Sequence, residues 1–367
     1  MSLPEGWREI LYRDMIDIVI DNRGKNPKSY SELGIPVIDN FLISNERKIN
    51  LSDVKRFIDD ETYSNFLRKY IEPNDVLMTL VGNGYGNVAL APIVKSAIIQ
   101  NTIGMRCNKD NDNIFLYYLF LYSKKQIVKL DIGAAQPSIK VGSLLALNCN
   151  VPPLQEQKAI ANILSSFDEK IELLKEQNET LEQMAQGVFK ESLNKFENSN
   201  KTTLGELVKI KYGKDHKHLE DGGFPLYGSG GVMRYVEKTL YDKESILIPR
   251  KGTLSNLFFI QEPFWSVDTI FYTEIDESLV SPIYLFYKLK RINLANLNVG
   301  SAVPSLTTNV LNALELEVPT RNAQEETVQL LTSFNNKVLY NKSQIKTLEK
   351  TRDTLLPKLM SGEVRVL

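Results

Sequence analysis

Two stretches of the chain, residues 151–200 and 318–367, carry the hydrophobic pattern of a coiled coil. In both, apolar residues recur at alternating spacings of four and three, which is the heptad pattern of a helical seam. One asparagine interrupts each mostly apolar seam. The pattern predicts two long helices, called here the first arm and the second arm. The predicted seam positions are Ile160, Leu164, Phe167, Ile171, Leu174, Asn178 and Leu181 in the first arm, and Leu331, Phe334, Val338, Asn341, Ile345, Leu348 and Leu355 in the second.

The two seam asparagines suggest how the arms pair. A lone polar residue in a seam is best satisfied by a polar partner, and antiparallel pairing brings Asn178 opposite Asn341. The opposite net charges of the arms, −4 and +3, favour pairing, although an exposed ion pair contributes only about 0 to 1 kcal/mol. This register places Arg352 against Phe167, and a shift of one heptad is the alternative. A paired length of about 34 residues predicts a rod roughly 50 Å long.

The chain also repeats itself. A shift of 167 positions superimposes residues 151–193 on residues 318–360 with 12 identities in 43 positions, where chance gives about two or three. The same shift places Tyr117 on Tyr284 in the preceding region. The sequence therefore predicts a two-fold tandem repeat, in which each repeat is a globular module followed by an arm.

Inside the modules the apolar runs are short and separated by Gly, Pro and Asn. Strands are predicted at 35–43, 75–82, 245–252 and 269–275, and buried helices at 115–125 and 283–291. The predicted fold class is α+β, with two tandem mixed α/β modules separated by two long helices that form an antiparallel coiled coil. The predicted domains are a module at 1–150, the first arm at 151–200, a module at 201–317 and the second arm at 318–367.

Composition excludes several classes of protein. The chain is 43% hydrophobic and 24% charged, as in globular proteins, and no apolar run is long enough to span a membrane. Two cysteines and two histidines support neither a disulfide framework nor a zinc site. No ATP-binding loop and no amino-methyltransferase motif is present, and the glycines of GNGYG at 82–86 lack the spacing of a dinucleotide loop. We expect a cytoplasmic, non-catalytic protein.

With the repeat and the arms in view, the chain resembles the specificity subunits of type I restriction-modification enzymes over nearly its whole length. The resemblance is carried by LPEGW at 3–7, the run at 151–193, SILIPRKGTLSN at 245–256, FWSVDTIFY at 264–272 and LLPKLMSGEV at 355–364. The second arm departs from the usual Pro-Pro-Leu-x-Glu-Gln opening, because it reads PTRNAQEE at 319–326.

The resemblance implies two target-recognition domains that each read one half of a bipartite double-stranded DNA sequence. It implies that the arms set the spacing between the half-sites and dock two methyltransferase subunits, with restriction motor-nuclease subunits as further partners. S-adenosylmethionine, ATP and Mg belong to those partners, so no cofactor and no metal is expected on this chain. The alternative from another class is a structural adaptor that binds no DNA.

Loops that combine basic, amide and aromatic side chains on glycine-rich turns are the predicted DNA contacts, because such groups suit the base edges of the major groove. The alternative for each loop is a solvated or structural turn. The candidates in the first module are Arg23, Lys25, Asn26, Asn83, Tyr85 and Asn87. Those in the second module are Lys214, His216, Lys217, Tyr227, Ser229, Arg234, Arg250 and Lys251.

Overall fold

The structure, a computed structural model, describes residues 3–131, 137–195, 200–297 and 305–366. The chain divides into two compact units. Met1–Leu174 and Gln344–Leu367 form the first unit, and Lys175–Ser343 forms the second. Both divisions fall inside the long arm helices, so each unit contains part of each arm. The domain boundaries predicted at residues 150, 200 and 317 surround the arms instead, and they stay predictions.

In the described residues, the globular part of the first unit contains short strands and three α-helices. The strands are β1 (Arg8–Leu11), β2 (Ile16–Ile20), β3 (Ile35–Pro36), β4 (Phe57–Ile58), β5 (Val76–Thr79), β6 (Val88–Leu90), β7 (Thr102–Cys107) and β8 (Asn148–Val151), and the helices are α1 (Tyr12–Met15), α2 (Asn113–Ile127) and α3 (Val141–Leu145). An antiparallel sheet has the order β2-β7-β5-β6. Two separate antiparallel strand pairs, β1 with β8 and β3 with β4, also belong to this unit.

The second unit repeats this plan. Its strands are β9 (Asn200–Thr203), β10 (Val208–Tyr212), β11 (Asp221–Gly228), β12 (Gly231–Val236), β13 (Ser245–Pro249), β14 (Phe258–Ile260), β15 (Trp265–Ser266), β16 (Ile270–Ile275) and β17 (Glu315–Val318), and its short helices are α5 (Leu204–Leu207), α6 (Pro282–Lys290) and α7 (Thr308–Asn312). The sheet β10-β16-β13-β14 has the order and the antiparallel pairing of β2-β7-β5-β6. A three-stranded sheet, β12-β11-β15, is the main addition.

The 167-residue shift found in the sequence reproduces the structural repeat. It maps α3 onto α7 and β8 onto β17 residue for residue. It also pairs Tyr117 of α2 with Tyr284 of α6, and each tyrosine is fully buried in the core of its own unit. The predicted buried helices are therefore confirmed. Their aromatic side chains pack inside the units, where burial of apolar area stabilises each fold.

One predicted strand is wrong for most of its length. Residues 35–43 form only the two-residue strand β3, and Asn40–Leu42 turn into a one-turn 3-10 helix. Asp39, which precedes that turn, accepts hydrogen bonds from Arg56. The apolar side chains of this segment are buried all the same, because Ile38 and Ile43 pack in a small core of the first unit. A continuous apolar run predicted burial correctly and the backbone geometry incorrectly.

The arms are helix α4 (Leu154–Lys195) and helix α8 (Glu325–Met360). Within the first unit, Ile160 and Leu164 share a core with Leu355 and Leu359. Within the second unit, Ala185 and Phe189 share a core with Leu331 and Phe334. The beginning of α4 therefore packs against the end of α8 in the first unit, and the end of α4 packs against the beginning of α8 in the second unit. The two helices pair in antiparallel fashion. No helix within the described residues is both long and apolar enough to cross a lipid bilayer.

Candidate nucleic-acid interface

The predicted DNA-contacting loops of the first unit leave the sheet at one edge. Strands β2 and β5 both pair with β7 in antiparallel fashion, so they run parallel to each other and end on the same side. The loop with Arg23, Lys25 and Asn26 follows β2, and the turn at residues 81–87 follows β5. We call the side of the sheet where these two strands end the loop edge.

The second unit has the same arrangement. Strands β10 and β13 both run antiparallel to β16, so the loops that follow them also leave from one side. The loop at 213–219 follows β10, and Arg250 and Lys251 follow β13. The backbone N–H of Lys214 donates to Ser266, and β15, which contains Ser266, pairs with β11 at Tyr227. The repeat therefore brings equivalent loops to the loop edge in both units.

The loop after β2 contains one internally paired arginine. Arg23 donates from its backbone N–H and its guanidinium to the carboxylate of Asp21, with the closest contact at 2.6 Å. These hydrogen bonds lower the pKa of Asp21. The Lys25 ammonium lies 5.1 Å from the centre of the Phe66 ring, whereas Asn26 is exposed. Arg23 thus shapes the loop, and Asn26 faces solvent.

The turn after β5 divides in the same way. Asn83 is exposed at its tip, whereas Tyr85 is half-buried and packs against the core of the unit. The Asn87 side-chain amide donates to the carbonyl of Ile43 at 3.0 Å, and its oxygen accepts from Asn45 and Lys124. The amide groups of Asn87 are therefore used inside the unit, so Asn83 is the exposed amide of this turn.

Basic residues in the loop after β10 face solvent on both sides of a half-buried histidine. Lys214 and Lys217 are exposed, and the His216 ring nitrogen Nδ1 is buried without a hydrogen-bond partner among the described residues. Arg234 of β12 donates to the backbone carbonyls of His216 and Leu219 at 3.0 and 2.9 Å. Arg234 therefore holds this loop in place through its backbone.

Three other candidates of the second unit are half-buried. Tyr227 lies beside Phe258 and Phe264, and burial is the main reason that its pKa is raised to about 12. The Ser229 carbonyl accepts a hydrogen bond from Asn256, and the Arg250 guanidinium lies over the ring of Tyr212 at 5.4 Å. Lys251 is exposed and pairs with Ser305 through a backbone bridge.

The predicted seam positions of both arms are all buried or half-buried. In the second unit, the predicted contact between the two asparagines is present, because Asn341 Nδ2 donates to Asn178 Oδ1 at 2.9 Å. Asn341 Nδ2 also donates to Gln177 Oε1 at 2.8 Å. Asn341 is fully buried. This pair matches the first of the two registers derived from the sequence.

Arg352 is a charged residue that this register places against Phe167, and it has a partner that the seam pattern did not indicate. It donates to Asp168 Oδ1 at 2.6 Å in the first unit, and Tyr118 donates its hydroxyl to Asp168 Oδ2 at 2.5 Å. The Asp168 side chain is only 6% exposed. Burial is the main cause that raises the pKa of Tyr118, and the adjacent carboxylate acts in the same direction. A second carboxylate of this unit, Glu156, pairs with Arg365.

A buried glutamine joins each arm to its module, although neither glutamine was indicated by the hydrophobic pattern. Gln157 Oε1 accepts the backbone N–H of Asp112, the N-cap residue of α2, at 3.0 Å, and its Nε2 donates to Pro152. Gln324 makes the equivalent contacts with Ser281, the N-cap residue of α6, and with Pro319. The two glutamines are 167 residues apart, so the repeat alignment already contained this signal.

The described residues contain no cluster of acidic, histidine or cysteine side chains suited to a metal ion. Burial raises the pKa of the Cys107 thiol, and it raises that of Cys149 to about 12. Both thiols therefore stay protonated at neutral pH, which is the unreactive form.

Comparison with known proteins agrees with the duplicated fold. The family model described as the type I restriction modification DNA specificity domain matches residues 4–183 and 197–350. The MjaIX specificity subunit of Methanocaldococcus jannaschii is 24% identical over 419 aligned positions that cover 100% of this chain and 95% of the relative. A putative type I specificity subunit of Mycoplasma genitalium is 25% identical over 78% of this chain and 80% of its own length.

Among solved structures, the crystal structure of a type I restriction-modification system S subunit from M. genitalium covers 98% of both chains. Its TM-score is 0.68 at 20% sequence identity, which shows a common fold. The family model, by contrast, matches most of this chain directly and does so twice in tandem. The chain therefore belongs to the type I restriction-modification DNA specificity family and carries two specificity domains in tandem.

Proposed function

We propose that the chain is the DNA-sequence specificity subunit of a type I restriction-modification complex and that each unit recognises one half of a bipartite double-stranded target. The duplicated loop edge carries this proposal. Two equivalent sheets present loops of the same origin, as a split target requires, and exposed amide and amino groups on them suit base edges and phosphates.

Within each set of loops, we assign different roles to exposed and internally bonded side chains. Asn26, Asn83, Lys214, Lys217 and Lys251 are exposed and are the proposed DNA contacts. Arg23, Asn87 and Arg234 donate or accept hydrogen bonds inside their units, so they hold the loops in shape. The remaining candidates are half-buried, so we assign them to packing beneath the loops rather than to DNA contact. They are Lys25, Tyr85, His216, Tyr227, Ser229 and Arg250.

We further propose that the paired arms set the number of base pairs between the half-sites and dock two methyltransferase subunits. Two DNA-binding modules that contact the same face of a duplex lie about one helical turn, or 34 to 36 Å, apart. Helix α4 has 42 residues, which at 1.5 Å per residue makes it about 63 Å long. An arm of this length is sufficient to span such a separation.

In this proposal the chain itself is non-catalytic and acts in the cytoplasm. The methyltransferase subunits bind S-adenosylmethionine and methylate adenine, and motor-nuclease subunits, where they join, use ATP and Mg.

Methylome sequencing tests the proposal in a host without other adenine methylation that expresses the chain with its methyltransferase subunits. We expect one bipartite motif with an unread spacer. Asn83→Ala should relax one half-site only, and Lys214→Ala with Lys217→Ala should weaken the other. Lys243 is an exposed residue that precedes β13 and so lies away from the loop edge; Lys243→Ala is the matched control and should leave the motif unchanged. Methylation without a bipartite motif, or none at all, would support the adaptor alternative.

A further inference from the structure

The helix that follows each sheet ends in a basic cluster that the proposed base contacts leave unexplained. Around the end of α2, Lys124, Lys125 and Lys129 occur with a single acidic residue, Asp131, in residues 122–131. Around the end of α6, residues 283–292 contain Lys288, Lys290 and Arg291 and no acidic residue. The whole chain has a net charge of −1, so these two segments are local concentrations of positive charge.

In the first unit the cluster adjoins the loop edge. The Lys124 ammonium donates to Asn87 Oδ1 in the turn after β5. Gly86 of the same turn has φ +75°, and a Cβ there would lie 3.2 Å from the Val128 side chain. The last turn of α2 and the turn after β5 are therefore in direct contact. Lys125 and Lys129 are exposed and lie one helical turn apart beside this contact.

In the second unit the equivalent cluster forms the shared wall of two clefts. One cleft of about 420 Å³ lies between Ser255 and Leu257 of the loop after β13 and residues 290–295. The other, of about 370 Å³, lies between α6 and the second half of α4, where Lys190 faces Tyr287. Arg291 lines both clefts. Lys190 and Arg291 are exposed.

Not every member of the clusters is available for a ligand. Lys124 is half-buried and bound to Asn87, and Lys290 donates to Glu182 at 2.5 Å. Lys288 is half-buried, and burial lowers its pKa. Lys124 and Lys290 are therefore engaged within their units, and Lys288 is partly withdrawn from solvent. The exposed cations that remain are Lys125 and Lys129 in the first unit and Lys190 and Arg291 in the second.

We propose that Lys125 and Lys129, and separately Lys190 and Arg291, bind the phosphodiester backbone of double-stranded DNA beside the half-site that their own unit reads. This inference rests on the proposed function and extends it from base recognition to the backbone. Exposed cations next to a base-reading loop suit phosphate oxygens, which position a protein on DNA without reading its sequence. A basic residue near a helix C-terminus can also stabilise the helix by interacting with its dipole. The experiment separates that role from DNA binding.

The test measures DNA affinity of the complex with its methyltransferase subunits as a function of salt. The logarithm of the DNA-binding constant falls linearly with the logarithm of the salt concentration, and each lost phosphate contact makes that slope less steep by about 0.9. We therefore expect Lys125→Gln with Lys129→Gln to make it less steep by about 1.8. Lys190→Gln with Arg291→Gln should do the same. Affinity should fall by the same factor on target and scrambled DNA. The matched control, Lys109→Gln with Lys243→Gln, changes two exposed lysines away from the loop edges and should leave the slope unchanged.

The outcomes distinguish this inference from the proposed function. An unchanged slope in both variant pairs, or a loss confined to target DNA, would overturn the backbone assignment while the methylated motif persists. A lower melting temperature with the slope intact would assign the clusters to helix stability and would also overturn it. If the unsubstituted complex shows no preference for any sequence, the proposed function fails, and the slopes measured on scrambled DNA still decide whether the clusters bind phosphate.

Discussion

Replacing Arg352 by alanine removes the cation that pairs with a buried carboxylate in the first unit. Asp168 would keep the hydroxyl of Tyr118 and lose its charged partner at 2.6 Å. The second unit has no such network at the equivalent positions. There, 167 residues away in the repeat, Leu285, Asn335 and Ala185 correspond to Tyr118, Asp168 and Arg352. The same fold therefore exists with and without this network.

The magnitude follows from burial. Removing one partner of a buried ion pair costs about 3 to 5 kcal/mol, because the remaining charge is left without compensation. The Arg352 side chain is 27% exposed, and the Asp168 side chain is 6% exposed. Since water can reach the vacated guanidinium position, we expect the low end of that range, about 3 kcal/mol. Arg352→Ala combined with Asp168→Asn reproduces the pair of the second unit and should cost only about 1 kcal/mol.

Urea unfolding followed by circular dichroism measures these differences in the free energy of unfolding. The double-mutant cycle of Arg352→Ala and Asp168→Asn should give a coupling of about 2 kcal/mol or more. Lys350→Ala, an exposed change on the same helix, is the control and should stay within about 0.5 kcal/mol. If the single Arg352→Ala variant is no less stable than the double variant, the uncompensated carboxylate carries no cost, and the expected stabilisation by the ion pair is wrong.

Three further predictions concern the joints, the arms and the buried thiol. Gln157→Ala and Gln324→Ala each remove the hydrogen-bond acceptor of an N-cap N–H, which is half-buried at Asp112 and buried at Ser281. Each variant should lose about 1 to 3 kcal/mol of the free energy of unfolding, and an unchanged melting temperature in either one would contradict the equivalence of the two contacts. Duplicating residues 175–181 and 338–344 adds about 10.5 Å to each arm, so methylome sequencing should show a spacer about three base pairs longer with both half-sites intact, whereas an unchanged spacer would exclude the arms as its determinant. Cys149 has its pKa raised from 9.0 to about 12 by burial, so the unfolded chain loses this proton first and stability falls as pH rises above about 9; Cys149→Ala should reduce the fall in melting temperature between pH 8 and 10.5, and an equal fall in both proteins would refute the assignment.

Features that depend on local periodicity follow from the amino-acid sequence alone. Heptad spacing predicted both arms, because a helix brings residues three and four apart onto one face wherever it forms. The need to satisfy a buried amide predicted the contact of Asn178 with Asn341. The 167-residue shift predicted the repeat, since a duplicated chain keeps its own register over its whole length.

Which polar side chains face solvent depends on how distant parts of the chain pack together. Arg23, Asn87 and Arg234 have the chemistry of base-reading groups, yet each is bonded within its unit. Arg352 does not fit the apolar seam pattern. Its position is explained by Asp168 and Tyr118, which are far from it in sequence and form a hydrogen-bonded network with it. Hydrogen bonds and ion pairs have short range and strict geometry, so their partners depend on how distant segments meet. Outside the repeating seam positions, no local pattern along the chain indicated these partners.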